Sequence, residues 1–180
     1  MRDKRGEMVR ILGEAALYWA GGCELDSPIE EMLMMALMFR PDQDGAPSPL
    51  LNESRHMSDD DWRSFEVLGV EPRASLGHIN RWLMFLQEGA GRYRLDFAFY
   101  HPSGSKIAIE CDGHDFHERT KEQAAHDKQR DRWLQSEGWI VLRFTGSEVY
   151  KDAHACVGEI LGLMAKLEAN ATPSDQPVVQ

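Results

Sequence analysis

The feature that most constrains the fold is a pair of short apolar segments in which carboxylates stand among bulky side chains. Residues 95–99 and 106–112 both alternate in side-chain character, and a Pro-Ser-Gly run at residues 102–104 supplies a turn between them. This pattern predicts a β-hairpin. Because strand side chains repeat every second residue, Glu110 and Asp112 lie on the same face of the second strand, roughly 7 Å apart.

The acidic residues of this predicted hairpin indicate a metal site. Asp96 lies in the first strand, so pairing of the two strands can bring it beside Glu110 and Asp112. Carboxylates gathered at one end of a sheet repel each other unless a cation lies among them. Because hard divalent ions take oxygen ligands, we expect such an ion here.

A charged helix and a buried strand are predicted to follow the hairpin. Thr120 caps a helix that runs to Glu137, and Gly138 ends it. Residues 139–144 then form a short apolar run of the buried-strand type. Arg143 is polar within that run, and two interpretations stay open for it: it binds a phosphate, or it pairs with a buried acid.

The polar residues of this stretch come in a fixed order, which is Asp96, Glu110, Asp112, Gly113, His117 and Arg143. That order resembles the PD-(D/E)XK nuclease superfamily. Within it, the sequence is most similar to very-short-patch-repair endonucleases and related small prokaryotic endonuclease-like domains. These share a D…E-x-D-G…H core, a helix with D-x-x-R-D-type charges and a final V-L-R-F strand. The resemblance covers roughly residues 27–39 and 79–160.

The resemblance implies an α/β fold with a restriction-endonuclease-like core. We expect a central mixed four-stranded sheet flanked by helices, together with an extra N-terminal helix and an insertion. We predict a single domain over residues 1–168, with the insertion at residues 41–78 and a disordered tail at residues 169–180. Residues 80–87 are expected to be the first core strand, with a short helix as the alternative, and residues 153–167 the last helix.

The resemblance also implies a function, which is hydrolysis of phosphodiester bonds in nucleic acid with Mg²⁺ or Mn²⁺ as the cofactor. DNA is the expected substrate, and DNA repair is one process in which such an enzyme would act. Asp96, Glu110 and the carbonyl of Cys111 are then expected to hold the metal ion. Asp112 is either a further ligand or the group that orients His117. His117 is expected to be the general base, because its ordinary pKa lies near neutrality. Two alternatives stay open: a hydrogen-bonded structural histidine, or a structural zinc site with His114 and Cys111.

One departure from the family pattern concerns the lysine that usually follows the glutamate. Asp112 occupies that position. Lys128, on the charged helix, is a candidate replacement, and the alternative is a solvated helix face. His114, Gln123 and Arg143 are candidate contacts to nucleic acid. The departure leaves a second function open, that of a catalytically inactive nuclease-fold protein that binds nucleic acid or a protein partner.

A second helix is predicted to open at Ser27, a good N-cap, with Pro28 in its first turn. Residues 32–39 make it apolar nearly all round, which predicts burial. Glu30 has two interpretations: a capping residue, or a residue that reaches the metal site through a water, as the resemblance implies. Gln87 either matches a glutamine that precedes the aspartate-bearing strand of these families or is a surface residue.

The predicted insertion contains one further helix. Residues 58–61, a serine followed by three aspartates, are typical of a solvated helix start. Trp62, Phe65 and Leu68 are expected to form its buried edge.

Composition limits which binding partners and which cellular compartment we expect. The net charge of −10 argues against a protein that coats nucleic acid nonspecifically, although residues 91–143 hold nine Lys/Arg and nine Asp/Glu. No apolar run reaches the ~20 residues that span a bilayer. Cys23, Cys111 and Cys156 are too few and too scattered for a disulfide framework, so we expect a cytoplasmic protein. The expected partner is nucleic acid rather than a membrane, with a protein partner or homodimer also open.

Overall fold

The structure is a computed structural model, which describes residues 25–41, 47–49, 57–112 and 121–171. The predicted N-terminal helix, His114, His117 and residues 172–180 of the predicted tail lie outside the described residues.

The described secondary structure alternates helices and strands. In chain order the elements are α1 (Pro28–Met38), β1 (Phe39–Pro41), β2 (Pro47–Pro49), α2 (Asp59–Val67), a 3₁₀ turn (Pro72–Ala74), β3 (Gly77–Ile79), β4 (Trp82–Ala90), β5 (Tyr93–Tyr100), β6 (Lys106–Asp112), α3 (Lys121–Ser136), β7 (Trp139–Thr145) and α4 (Gly146–Asn170). No described helix has the length and apolar character that crossing a membrane requires.

The main sheet has the strand order β3-β4-β5-β6-β7. The first four strands are antiparallel to their neighbours, whereas β6 and β7 are parallel and are joined through α3. This mixed sheet with flanking helices confirms the predicted α/β, restriction-endonuclease-like fold class. The prediction of four strands was one short, because β3 pairs with the start of β4. The strand predicted at residues 80–87 begins and ends slightly later, at residues 82–90.

Both faces of the sheet are covered, which gives two core layers. Helices α1 and α4 pack on one face, where Leu37, Phe97 and Ile160 belong to one buried cluster. Helices α2 and α3 cover the other face, where Phe65 and Leu134 belong to a second cluster. A sheet buried on both sides needs strands without a polar face, so a polar side chain inside it has to find a partner within the protein.

The predicted start of α1 is confirmed. The Ser27 hydroxyl accepts a hydrogen bond from the Glu30 N–H at 3.3 Å, and Pro28 occupies the first turn. Leu33 and Leu37 are completely buried, as the apolar pattern predicted. This burial brings Glu30, one turn earlier, into the protein interior.

The predicted insertion ends before β3, because that strand belongs to the main sheet. Helix α2 starts where predicted, with Ser58 as its N-cap, and Ser58 and Asp61 form a capping box there. Asp61 is nevertheless buried rather than solvated, since Arg81 pairs with it. Phe65 is completely buried as expected, whereas Leu68 is 47% exposed and does not form part of the edge.

Helix α4 is longer than predicted at both ends. A kink at Asp152 separates its first turns from the main segment, which starts at the predicted residue 153. Asp152 caps that segment by accepting the N–H of Ala155 at 2.9 Å. The helix ends at Asn170 and therefore includes the first two residues of the predicted tail.

Candidate active site

The site lies where β5 and β6 separate. Their paired register ends with Phe97 opposite Ile109, so the next residues on each strand, Asp96 and Glu110, face a widening gap. The N–H of Cys111 donates to Asp96 Oδ2 at 2.7 Å and thereby takes a side-chain acceptor in place of a strand partner. The hairpin predicted from the sequence therefore does bring Asp96 and Glu110 to one place.

The neighbouring strand β4 is irregular at the same level. Leu86 pairs with Phe97 and Glu88 with Leu95, which puts Gln87 opposite Asp96. Gln87 has a φ of 48°, a left-handed conformation that is uncommon for residues other than glycine. Such strained residues concentrate at functional sites.

In both β4 and β5, regular alternation of side chains between the two faces of the sheet is interrupted at this level. Side chains beyond the irregularity therefore point to the opposite face from the one that alternation predicts. On β4, Phe85 and Ala90 belong to the same core layer although they are five positions apart, an odd offset that regular alternation would place on opposite faces. On β5, Leu95 and Phe97 belong to opposite layers although they are two residues apart. The reversal provides two partly buried positions, occupied by Gln87 and Asp96, for polar side chains in strands whose neighbouring residues are mostly apolar.

Helix α1 contributes Glu30 to these polar positions. Gln87 Nε2 donates to Glu30 Oε2 at 2.7 Å, and the Ser27 hydroxyl donates to Glu30 Oε1 at 2.8 Å. Burial raises the pKa of Glu30, and the charge of Glu30 in turn contributes to the raised pKa of Asp96. The capping interpretation of Glu30 is confirmed, and the same side chain also lies near the acids of the sheet.

Burial also dominates the electrostatics of the two sheet acids. It raises the pKa of Glu110 to about 7, with the charge of Arg130 acting against the shift and that of Asp96 adding to it. The pKa of Asp96 is raised by burial as well, and the hydrogen bond from the Cys111 N–H opposes that change. Buried acids with shifted pKa values in a gap of a sheet are typical of functional sites.

Arg130, the arginine of the D-x-x-R-D-type pattern at residues 127–131, is a site residue to which the sequence assigned no role. Its Nη2 lies 2.5 Å from Glu110 Oε2, although the charged helix was interpreted mainly as a solvated face. The signal was present, because Arg130 precedes Trp133 and Leu134 by three and four residues, and such residues share one helix face. Lys128, the predicted lysine replacement, is exposed on the same helix.

Arg143 joins two further acids. Its Nη1 lies 3.3 Å from Asp112 Oδ1, and its Nη2 lies 2.6 Å from Asp131 Oδ1. Of the two interpretations of Arg143, the structure shows the pairing with acids. Asp112 therefore points to an arginine, and it does not form a three-acid cluster with Asp96 and Glu110. Among the described residues, no group of three or more His, Cys, Asp or Glu side chains is arranged to hold a metal ion.

Several buried polar atoms around Glu110 have no hydrogen-bond partner within the described structure. They are Glu110 Oε1, Gln87 Oε1, Tyr93 Oη and Arg130 Nε. Buried polar atoms without partners are rare, and each calls for a water, an ion or a ligand. Of the other predicted site residues, the side chain of Gln123 lies outside the described part of the chain, as do His114 and His117.

Comparisons with known proteins agree with this architecture. Residues 81–164 match the REase_MTES_1575 family, a restriction-endonuclease-like family, and this segment runs from the start of β4 into α4. The uncharacterized protein YcjD of Escherichia coli (strain K12) is 38% identical over 65 residues, which are 35% of this chain. That alignment spans about half (48%) of the curated relative. No solved structure matches the chain. The match covers four of the five strands of the main sheet and all of the site residues except Glu30, so this segment is similar to restriction-endonuclease-like proteins, which supports the resemblance to the PD-(D/E)XK nuclease superfamily.

Proposed function

We propose that this protein is a metal-dependent endonuclease that hydrolyses phosphodiester bonds of nucleic acid, with DNA as the substrate. The observation that carries the proposal is the position of Asp96 and Glu110, which meet where the pairing of β5 and β6 ends. Both acids are sheltered from solvent, and one carboxylate oxygen of Glu110 has no partner in the described structure. The family match supports a nuclease.

The donor atoms of the site fit a hard divalent cation. Asp96 and Glu110 offer carboxylate oxygens, and the Cys111 carbonyl and the Gln87 amide oxygen are the neutral oxygens nearest to them in sequence or strand register. Oxygen-only sets of this kind suit Mg²⁺ or Mn²⁺. We propose that Asp96, Glu110 and the Cys111 carbonyl hold the ion. When bound, the ion polarises the phosphate and lowers the pKa of a water.

The remaining residues are assigned supporting tasks. Glu30 holds the amide of Gln87 and so fixes the residue opposite Asp96. Arg143 holds Asp112, which keeps the end of β6 in place. His117, five residues after Asp112, is proposed to take the proton from the attacking water, since a neutral imidazole accepts a proton near pH 7.

The test is a cleavage assay on supercoiled, linear and single-stranded DNA in Mg²⁺, Mn²⁺ or EDTA. We expect metal-dependent cutting by the wild type and a loss of more than ~100-fold in Asp96→Asn, because even outer partners of metal ligands cost 10–100-fold. Asp60→Asn is the matched control, since Asp60 is exposed at the start of α2 and remote in sequence from the sheet acids. Full activity in Asp96→Asn contradicts the assignment.

A second candidate function is binding without cleavage. The observation that favours it is Asp112, an acid paired with Arg143 at the position where the family pattern has a lysine. A mobility-shift assay distinguishes the two functions: a stable complex with DNA or RNA and no cleavage in either metal supports the binding function.

A further inference from the structure

We propose that Arg130 is a positioning residue of the site, which holds one oxygen of Glu110 and leaves the other oxygen free to bind the metal ion. This inference rests on the proposed function and deepens it. In the family pattern a lysine follows the glutamate, but Asp112 occupies that position in this chain. The inference assigns the role of that missing cation to Arg130 on α3.

The contacts of Arg130 fix its guanidinium group. Nη2 lies 2.5 Å from Glu110 Oε2 and donates to the carbonyl oxygen of Arg94 at 2.8 Å. The guanidinium carbon lies 5.9 Å from the centre of the Tyr93 ring, within the range of a cation–π contact. The arginine on α3 is thus held by residues of both β5 and β6. A side chain with partners on two strands has little freedom to leave them.

Among the charged residues of the site, Arg130 differs from Arg143 in that it contacts Glu110. Glu30 and Glu110 are buried acids, and Asp96 is partly buried between them. Arg143 is engaged by Asp112 and Asp131. In the described part of the chain, Arg130 is the cation in contact with Glu110. An arginine stays protonated at any physiological pH, so its task is to hold and balance the carboxylate and not to carry a proton.

The way in which Arg130 contacts Glu110 favours positioning over simple neutralisation. An arginine often binds both oxygens of a carboxylate, and that arrangement occupies a lone pair on each oxygen. Here the contact is to Oε2, whereas Oε1 is buried and has no hydrogen-bond partner in the described structure. Arg130 therefore orients a carboxylate whose second oxygen stays available.

The test measures metal affinity independently of cleavage. Mn²⁺ binding to the full chain is measured by titration calorimetry without nucleic acid, for the wild type, Arg130→Ala, Arg130→Lys and Arg132→Ala. Arg132 is exposed on the same helix, so Arg132→Ala removes an equal charge without touching Glu110. We expect Arg130→Ala to weaken Mn²⁺ binding by ~10-fold or more, the usual effect of losing a partner of a metal ligand. Added guanidinium ion restores part of that affinity, and Arg132→Ala leaves it unchanged.

The sign of the change decides the proposal. If Arg130 only competed with the metal ion, its removal would strengthen Mn²⁺ binding, and stronger or unchanged binding in Arg130→Ala overturns the assignment. Should that variant fail to fold, Arg130→Lys decides, because lysine keeps the charge but lacks the planar fork. Unchanged affinity in Arg130→Lys, or a wild type that binds no Mn²⁺, overturns it as well.

Cleavage measured in parallel separates this inference from the proposed function. A wild type that cuts DNA, with Mn²⁺ affinity unaffected by Arg130→Ala, overturns the role of Arg130 alone. A wild type that does not cut, with Mn²⁺ affinity lowered by Arg130→Ala, overturns the nuclease assignment and supports the role of Arg130.

Discussion

The left-handed conformation of Gln87 allows a sharp test of the site geometry. Gln87 lies in β4 with a φ of 48° and donates a hydrogen bond to the buried Glu30 carboxylate. Replacing it by alanine removes the hydrogen bond and keeps the unfavourable backbone conformation. Replacing it by glycine removes the same hydrogen bond but relieves the clash between Cβ and the backbone. The two variants therefore differ in backbone strain alone, apart from the extra freedom of glycine when unfolded.

The expected free energies follow from these terms. Loss of a hydrogen bond to a charged buried group costs about 2 kcal/mol in both variants. The left-handed conformation costs a non-glycine residue about 1–2 kcal/mol, whereas glycine in a strand costs about 0.5–1 kcal/mol relative to alanine. Gln87→Gly should therefore be more stable than Gln87→Ala by about 0.5–1 kcal/mol, which reverses the usual order in a strand.

Urea unfolding at pH 7 measures this difference, and the chain offers a matched control in the same strand. Gly89 is exposed, has no left-handed φ, and a Cβ placed on it meets no atom within 4 Å. Gly89→Ala should therefore stabilise the protein by about 0.5–1 kcal/mol. If alanine is the more stable residue at both positions, then the irregularity at Gln87 stores no strain, and our account of the strand reversal is refuted.

Two further predictions concern packing and pH. Gly91→Ala should destabilise the protein by about 2–3 kcal/mol, measured by urea unfolding, because the new Cβ would lie 2.5 Å from the Trp133 ring at a φ of +57°. The second prediction concerns His101, whose pKa is lowered to about 4 by burial. Between pH 6.5 and this pKa, the imidazole takes up a proton in the unfolded chain but not in the folded one. The contribution of His101 to the free energy of unfolding should therefore fall by about 2 kcal/mol between pH 7 and pH 5.

Each of these two predictions has its own control. Gly162→Ala, at a position in α4 where a Cβ meets nothing within 4 Å, should not destabilise the protein. The His101 component is isolated by comparing the wild type with His101→Gln, which should lack this part of the pH dependence. Equal losses of stability in both proteins between pH 7 and pH 5 would show that His101 is not held neutral.

The buried acids of the site also explain why the sequence departs from a simple strand pattern there. Glu30 and Glu110 are taken out of water, and the raised pKa values of both report the cost. The chain offsets part of this cost with Gln87 for Glu30 and with Arg130 for Glu110. A protein selected for stability alone has no reason to place these groups in a core, which supports a function for them.

The sequence by itself determined the local features of this protein. The period-two alternation and the turn at residues 102–104 predicted β5 and β6, because a hairpin depends on neighbouring residues only. Ser27 predicted the start of α1 for the same reason, since a cap bonds to the next turn of its own helix. The order of Asp96 and Glu110 in the two strands then predicted that they would meet.

Only the tertiary structure decided which more distant groups join these two acids. Strand β3 is three residues long, too short to show a period, and exists because β4 provides its partner. Arg130 and Lys128 are equally charged in the sequence, but packing of Trp133 and Leu134 turns Arg130 toward Glu110. The left-handed turn at Gln87 likewise has no sequence signal. These features depend on contacts between residues far apart in the chain, and such contacts are set by how whole elements pack, not by local pattern.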